Sequence, residues 1–271
     1  MKRMLKQLAA ALTVGALSIG TAHAVLITQW TYNNEAGFSA FTGEGGTVIN
    51  SSGNSGVILG LPTTLSWGPN NSSSLVADSP VIGVVNTNGA QVPGVPLTHN
   101  NFPIALGNSL ESAVLSDALR LTPILPAPGP DFDAPTLEFQ ILFAETPNAG
   151  GAGGACAGGG VSGDADNPGG CRDVFVLSNP GELGQIQFTI DDFEYTVQID
   201  AVGLGPLADD ACAAVGAAAG CIGFLTQENA TNTLETFFTI TAVPLQIPEP
   251  GILALLGLGL GALGFARRRT K

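Results

Sequence analysis

Leu137, Phe139, Ile141 and Phe143 alternate with Glu138, Gln140 and Leu142. A period of two is the repeat of an extended strand with one buried face. Ile186, Phe188 and Ile190 repeat the pattern, and Tyr195, Val197 and Ile199 resume it after Asp191-Asp192. Two such runs across a short polar link predict a hairpin. Further strands are expected at 26–32, 57–67, 81–86, 114–121, 173–177 and 233–243. Gly, Pro, Asn and Ser punctuate the intervals, and no convincing soluble helix emerges. Residues 110–119 have some helical propensity, but Pro123 follows closely, so they are read as strand. The expected fold is all-β, a β-sandwich or jelly-roll-like domain over 25–243, long enough to bury a real core.

Two segments interrupt the strands. Residues 148–170 are rich in glycine, and 207–220 in alanine. Neither can bury much apolar area, so both are expected to be loops. One carries Cys156, with Cys171 at its end, and the other carries Cys212, with Cys221 at its end. Four cysteines allow three pairings. The local pairs are expected, because each would tether a loop that has no other staple. The spacing holds no Cys-x-x-Cys, which argues against a thiolate metal site.

Both ends of the chain have a different character. Met1-Lys2-Arg3 opens a basic region, residues 8–19 are apolar, and Ala22-His23-Ala24 is a small-x-small cleavage site. This is the layout of a signal peptide over 1–24, with a mature start at Val25. Removal by signal peptidase and passage through the export machinery follow, and export favours disulfides. The other end, 244–271, reads Ile247-Pro248-Glu249-Pro250, then an apolar, glycine-rich run over 251–266, then Arg267, Arg268 and Arg269. As a helix the run would extend ~24 Å, short of a ~30 Å hydrocarbon core. A short transmembrane helix that holds the precursor in the membrane during processing is expected. The arginines would stop transfer and stay on the cytoplasmic side.

Between these ends the charge is one-sided. All 22 acidic residues lie in 25–250, against Arg120 and Arg172 alone, so this part is more negative than the whole chain at −13. Nucleic acid is not expected as a partner, since phosphate binding needs clustered Lys and Arg. An acidic polysaccharide would be repelled unless divalent cations bridged it.

Few residues suggest chemistry. His99 is the only histidine left after signal cleavage, which removes multi-histidine zinc sites within one chain. It could act only as a single general base. Thr98-His99-Asn100-Asn101 lies between Pro96 and Pro103 and is read as a structured turn with local side-chain hydrogen bonds. No Gly-x-Ser-x-Gly elbow exists, since Gly160-Val161-Ser162-Gly163 continues to Asp164. Asp164-Ala165-Asp166-Asn167-Pro168-Gly169 faintly resembles a calcium loop, but Pro168 replaces an oxygen ligand, and a polar turn is preferred. No cofactor is expected. Trp30 and Trp67 are expected in the core, although an exposed tryptophan could stack on sugar.

The motif at 247–250, the glycine-rich span and the arginine cluster together resemble the PEP-CTERM sorting signal of Gram-negative bacteria. That resemblance implies recognition by an exosortase, a membrane cysteine transpeptidase, with processing near Pro248, Glu249 and Pro250. It also implies association with exopolysaccharide and biofilm formation. A second series resembles the THxN family of PEP-CTERM proteins, named for the motif at Thr98, His99 and Asn101. Its other members are Leu65-Ser66-Trp67-Gly68, Leu119-Arg120-Leu121, Phe143-Ala144-Glu145-Thr146-Pro147-Asn148 and Cys171-Arg172-Asp173-Val174-Phe175. That family implies no established activity and supplies no catalytic residues. The expectation is a non-enzymatic protein of the cell surface or extracellular matrix. The alternatives are a carbohydrate-binding module, or a glycoside hydrolase or lyase with two facing carboxylates.

Overall fold

The computed structural model describes residues 25–182 and 185–245. The signal peptide ending at Ala22-His23-Ala24 and the sorting tail, from Pro248 to the arginines at 267–269, lie outside the described residues. In chain order the strands are β1 (Gln29–Gly43), β2 (Asn50–Ser52), β3 (Thr64–Trp67), β4 (Ser73–Ala77), β5 (Val81–Asn86), β6 (Val92–Pro93), β7 (Leu97–Asn101) and β8 (Leu110–Leu125). They continue as β9 (Phe132–Asp133), β10 (Leu137–Ala144), β11 (Asp173–Leu177), β12 (Gln185–Ile190), β13 (Phe193–Val202), β14 (Gly205–Pro206), β15 (Ile222–Thr226) and β16 (Ala230–Pro244).

These strands form two antiparallel sheets of eight. The first runs β14-β15-β11-β10-β8-β1-β5, with β9 beside β8; the second runs β12-β13-β16-β7-β4-β3-β2, with β6 beside β16. The fold is the expected all-β sandwich. β10 buries Phe139, Ile141 and Phe143, as its alternation requires. The predicted hairpin is present: Ile190 of β12 pairs with Phe193 of β13, and Asp191 takes a positive φ in the turn. Residues 110–119 are strand, the first part of β8.

Side chains from both sheets interleave in two apolar groups. One gathers Phe38, Leu65, Trp67, Leu75, Phe143 and Phe175. The other gathers Trp30, Tyr32, Leu121, Tyr195, Phe238 and Ile240. Each large apolar side chain so buried stabilises the fold by roughly 1.5–3 kcal/mol. Trp30 and Trp67 are both fully buried, as the core reading expects, and offer no surface for stacking on sugar.

Three expectations change. The strand expected over 57–67 is confined to Thr64–Trp67. Val57, Ile58 and Leu59 instead form a loop whose backbone N–H groups donate to the Glu35 carboxylate at 2.8–2.9 Å. Thr98 to Asn101 is not a turn but the body of β7, which alternates Leu97, His99 and Asn101 inward. The prolines bracket a strand because they stand just outside its paired register. Finally, the expected loop over 207–220 contains a short helix, α1 (Asp209–Ala214). It buries Ala211 against Val174 and Val176, so β11 is covered on both faces.

A candidate metal centre at one end of the sandwich

Register brings a set of polar residues to one end of the sandwich. β10 pairs with β11 so that Ala144 lies opposite Val174, which sets Glu145 beside Asp173. β11 pairs with β15 so that Asp173 lies opposite Thr226, with Glu228 just beyond. Asp173 has the parity of Phe175 and therefore points between the sheets. From the facing sheet, β7 ends at Asn101.

The result is a buried acidic cluster. One carboxylate oxygen from each of Glu145, Asp173 and Glu228 lies within 4.8 Å of the others. All three residues are buried. Oδ1 of Asp173 accepts from the Thr146 backbone N–H at 2.8 Å. Among the described residues its Oδ2 and both oxygens of Glu145 form no hydrogen bond of good geometry, although the Ile104 backbone and Asp173 face Glu145. Asn101, also fully buried, faces Asp173 and Glu228; its Nδ2 donates to the Thr226 carbonyl at 3.3 Å, and its Oδ1 has no partner.

Asn148 closes the cluster beside Glu228 and Ile104. Its amide nitrogen donates to both Glu228 oxygens at 3.0 and 3.3 Å.

The electrostatics are those of uncompensated anions. Burial first, then the charges of Asp173 and Glu228, push the Glu145 carboxyl up to about 10. Burial and then Glu228 hold Asp173 well above the ordinary carboxylate range. Burial lifts Glu228 to about 7. Among the described residues no arginine answers them. Arg120 binds Asp133 at 2.6 and 3.0 Å, and Arg172 donates from Nη2 to the Gly158 carbonyl at 2.9 Å. Crowded carboxylates in this setting must either take up protons or share a cation. A polar cleft of about 430 Å³, lined by Glu44, Glu111 and Glu145, opens beside the cluster.

His99 stands next to this centre but belongs to the core. Its ring stacks on Trp67 at 5.6 Å and meets Phe143 and Phe175 edge-on at 5.5 and 4.9 Å. Burial depresses its pKa to about 3. Thr98 and Asn100 point outward and bond neighbouring strands through Thr233 and Ser74. The THxN-like motif therefore splits by parity: His99 and Asn101 serve the interior, Thr98 the sheet surface.

Both expected disulfides are present, Cys156–Cys171 and Cys212–Cys221. The first delivers residue 171 two positions before Asp173. The Asp164 region is a closed turn: its carboxylate accepts from the backbone N–H groups of Val161, Asp166 and Asn167 at 2.7–3.0 Å. Glu145 and Asp173 stood within the family-like segments of the sequence, whereas Glu228 carried no signal there.

Residues 246–269 match the family model described as the PEP-CTERM protein-sorting motif. The motif indicates an exported protein sorted by an exosortase to the cell surface or extracellular space. No curated protein matches the chain. Among the described residues no helix is long and apolar enough to cross a membrane; the predicted span over 251–266 lies outside them.

Proposed function

We propose that the protein is a non-enzymatic, THxN-type component of the cell surface or extracellular matrix of a Gram-negative bacterium, associated with exopolysaccharide and biofilm. The observation that carries this reading is the sorting motif at 246–269 behind a disulfide-stapled β-sandwich. The membrane holds the precursor by its tail until the exosortase acts. The bulk of the mature chain is then almost purely acidic, a surface suited to solubility and to cation-bridged contact with anionic polymers.

Two observations support a non-catalytic role. His99 is sealed among aromatic rings and held neutral. The three clustered carboxylates are buried and crowd one another within 4.8 Å. Deleting residues 248–271 tests the sorting half of the proposal. The truncated protein should lose its place at the cell surface and accumulate elsewhere. Unchanged localisation would contradict it.

A further inference from the structure

We propose that Glu145, Asp173 and Glu228 hold a single calcium ion beside the side chains of Asn101 and Asn148. The ion would fasten the disulfide-closed loop over 145–173 to the ends of both sheets.

The donor set is all oxygen, which selects a hard cation over zinc or copper. Three oxygens within 4.8 Å of one another have a point no more than ~2.8 Å from each, close to calcium–oxygen bonds of ~2.3–2.6 Å. Magnesium would need all three to close in to ~2.1 Å and prefers to keep several waters. A buried amide also lies at the site. Asn101 is fully buried, its Nδ2 lies against Asp173 and Glu228, and its Oδ1 is unpartnered, so the side chain can turn its oxygen onto a cation there. Asn148 borders Glu228 and donates to both of its oxygens at 3.0 and 3.3 Å.

The elements joined give the ion a structural role. Glu145 and Asp173 lie at the two ends of the long glycine-rich loop, which Cys156–Cys171 closes. Glu228 lies between β15 and β16, and Asn101 ends β7 on the opposite sheet. One ion therefore joins the loop, the β15–β16 connection and the facing sheet. The cleft lined by Glu44 and Glu111 opens beside it. The site does not depend on how the tail is sorted.

The test uses the exported protein with both disulfides intact, stripped with chelator. Equilibrium dialysis against CaCl2 should give one calcium per chain. At calcium a hundredfold above Kd, Tm should rise by about 5–10 °C, with a much smaller shift in MgCl2. Glu145→Gln and Glu228→Gln should each weaken calcium binding at least tenfold. Without calcium, Glu145→Gln should melt no lower than the parent, because the amide relieves the crowding of three buried carboxyl groups. Asp166→Asn, in the closed turn, should bind like the parent. Asn148→Ala is a milder variant, should either glutamine variant not fold, and should also weaken binding. No bound calcium in the parent would overturn the proposal. So would binding undiminished in every cluster variant that folds.

Discussion

Nδ1 of His99 on β7 lies 2.9 Å from Oγ1 of Thr226 on β15, a buried hydrogen bond that joins the two sheets. Its ring fills the space between Trp67 and Phe175. Both facts make His99 a packing residue with a polar edge. Its imidazole resonances should not move between pH 5 and 8, because burial keeps it neutral down to about 3. A titration midpoint near 6.5 would contradict this placement. His99→Ala should destabilise the fold by about 2–4 kcal/mol, through lost ring packing and an orphaned Thr226 hydroxyl.

Glu35 governs a distant loop. It is fully buried, and its oxygens take the backbone N–H groups of Val57, Ile58 and Leu59. Glu35→Ala leaves those donors without their acceptor and should cost about 2–4 kcal/mol in a denaturant titration. Gly56→Ala should act in the same direction, since Gly56 has φ +135° and an added Cβ would collide with the Glu35 carboxylate.

Asp117 should make stability depend on pH. Burial lifts its carboxyl to about 7, although Asn34 donates to both its oxygens at 2.9 and 3.0 Å and opposes the shift. A carboxyl held above its unfolded value stabilises the fold in the protonated form. That contribution is complete below pH ~4 and is lost as pH climbs through about 7. Asp117→Asn should therefore flatten the pH profile in this window and raise stability at pH 8 by roughly 1–3 kcal/mol. Chemical denaturation at pH 5 and 8, in chelator, measures both.

The loop disulfide should matter beyond its own loop. Cys156 and Cys171 are 15 residues apart. Replacing both with serine should cost about 3 kcal/mol by restoring freedom to the unfolded chain. Thr146 also donates to the Cys171 and Arg172 carbonyls, so the same change should loosen Glu145 and Asp173. Hydrogen exchange at Thr146 should quicken in the double variant, while exchange in the β12–β13 hairpin should not.

The sequence declared its strands where side chains alternate simply. Phe139, Ile141 and Phe143, and the hairpin at Asp191, are of that kind. It misled where polar residues face inward. His99 and Asn101 occupy core-facing positions of β7, and their polarity made a strand resemble a turn. Residues 57–59 carry apolar side chains that suit a strand, yet their backbone groups are claimed by Glu35, far away in sequence. The disulfides were legible because each closes a short loop. The acidic cluster was not, because its three carboxylates come from separate segments with no common spacing. Only pairing register brings Glu228 to Glu145.

Under the proposed function, export is followed by removal of the tail. Intact-mass measurement on protein taken from the native cell surface tests it most directly. The chain should begin at Val25, end near Pro248-Glu249-Pro250, and carry both disulfides with no thiol open to alkylation before reduction. A surface-derived chain that retains residues 251–271, or that still begins at Met1, would contradict it.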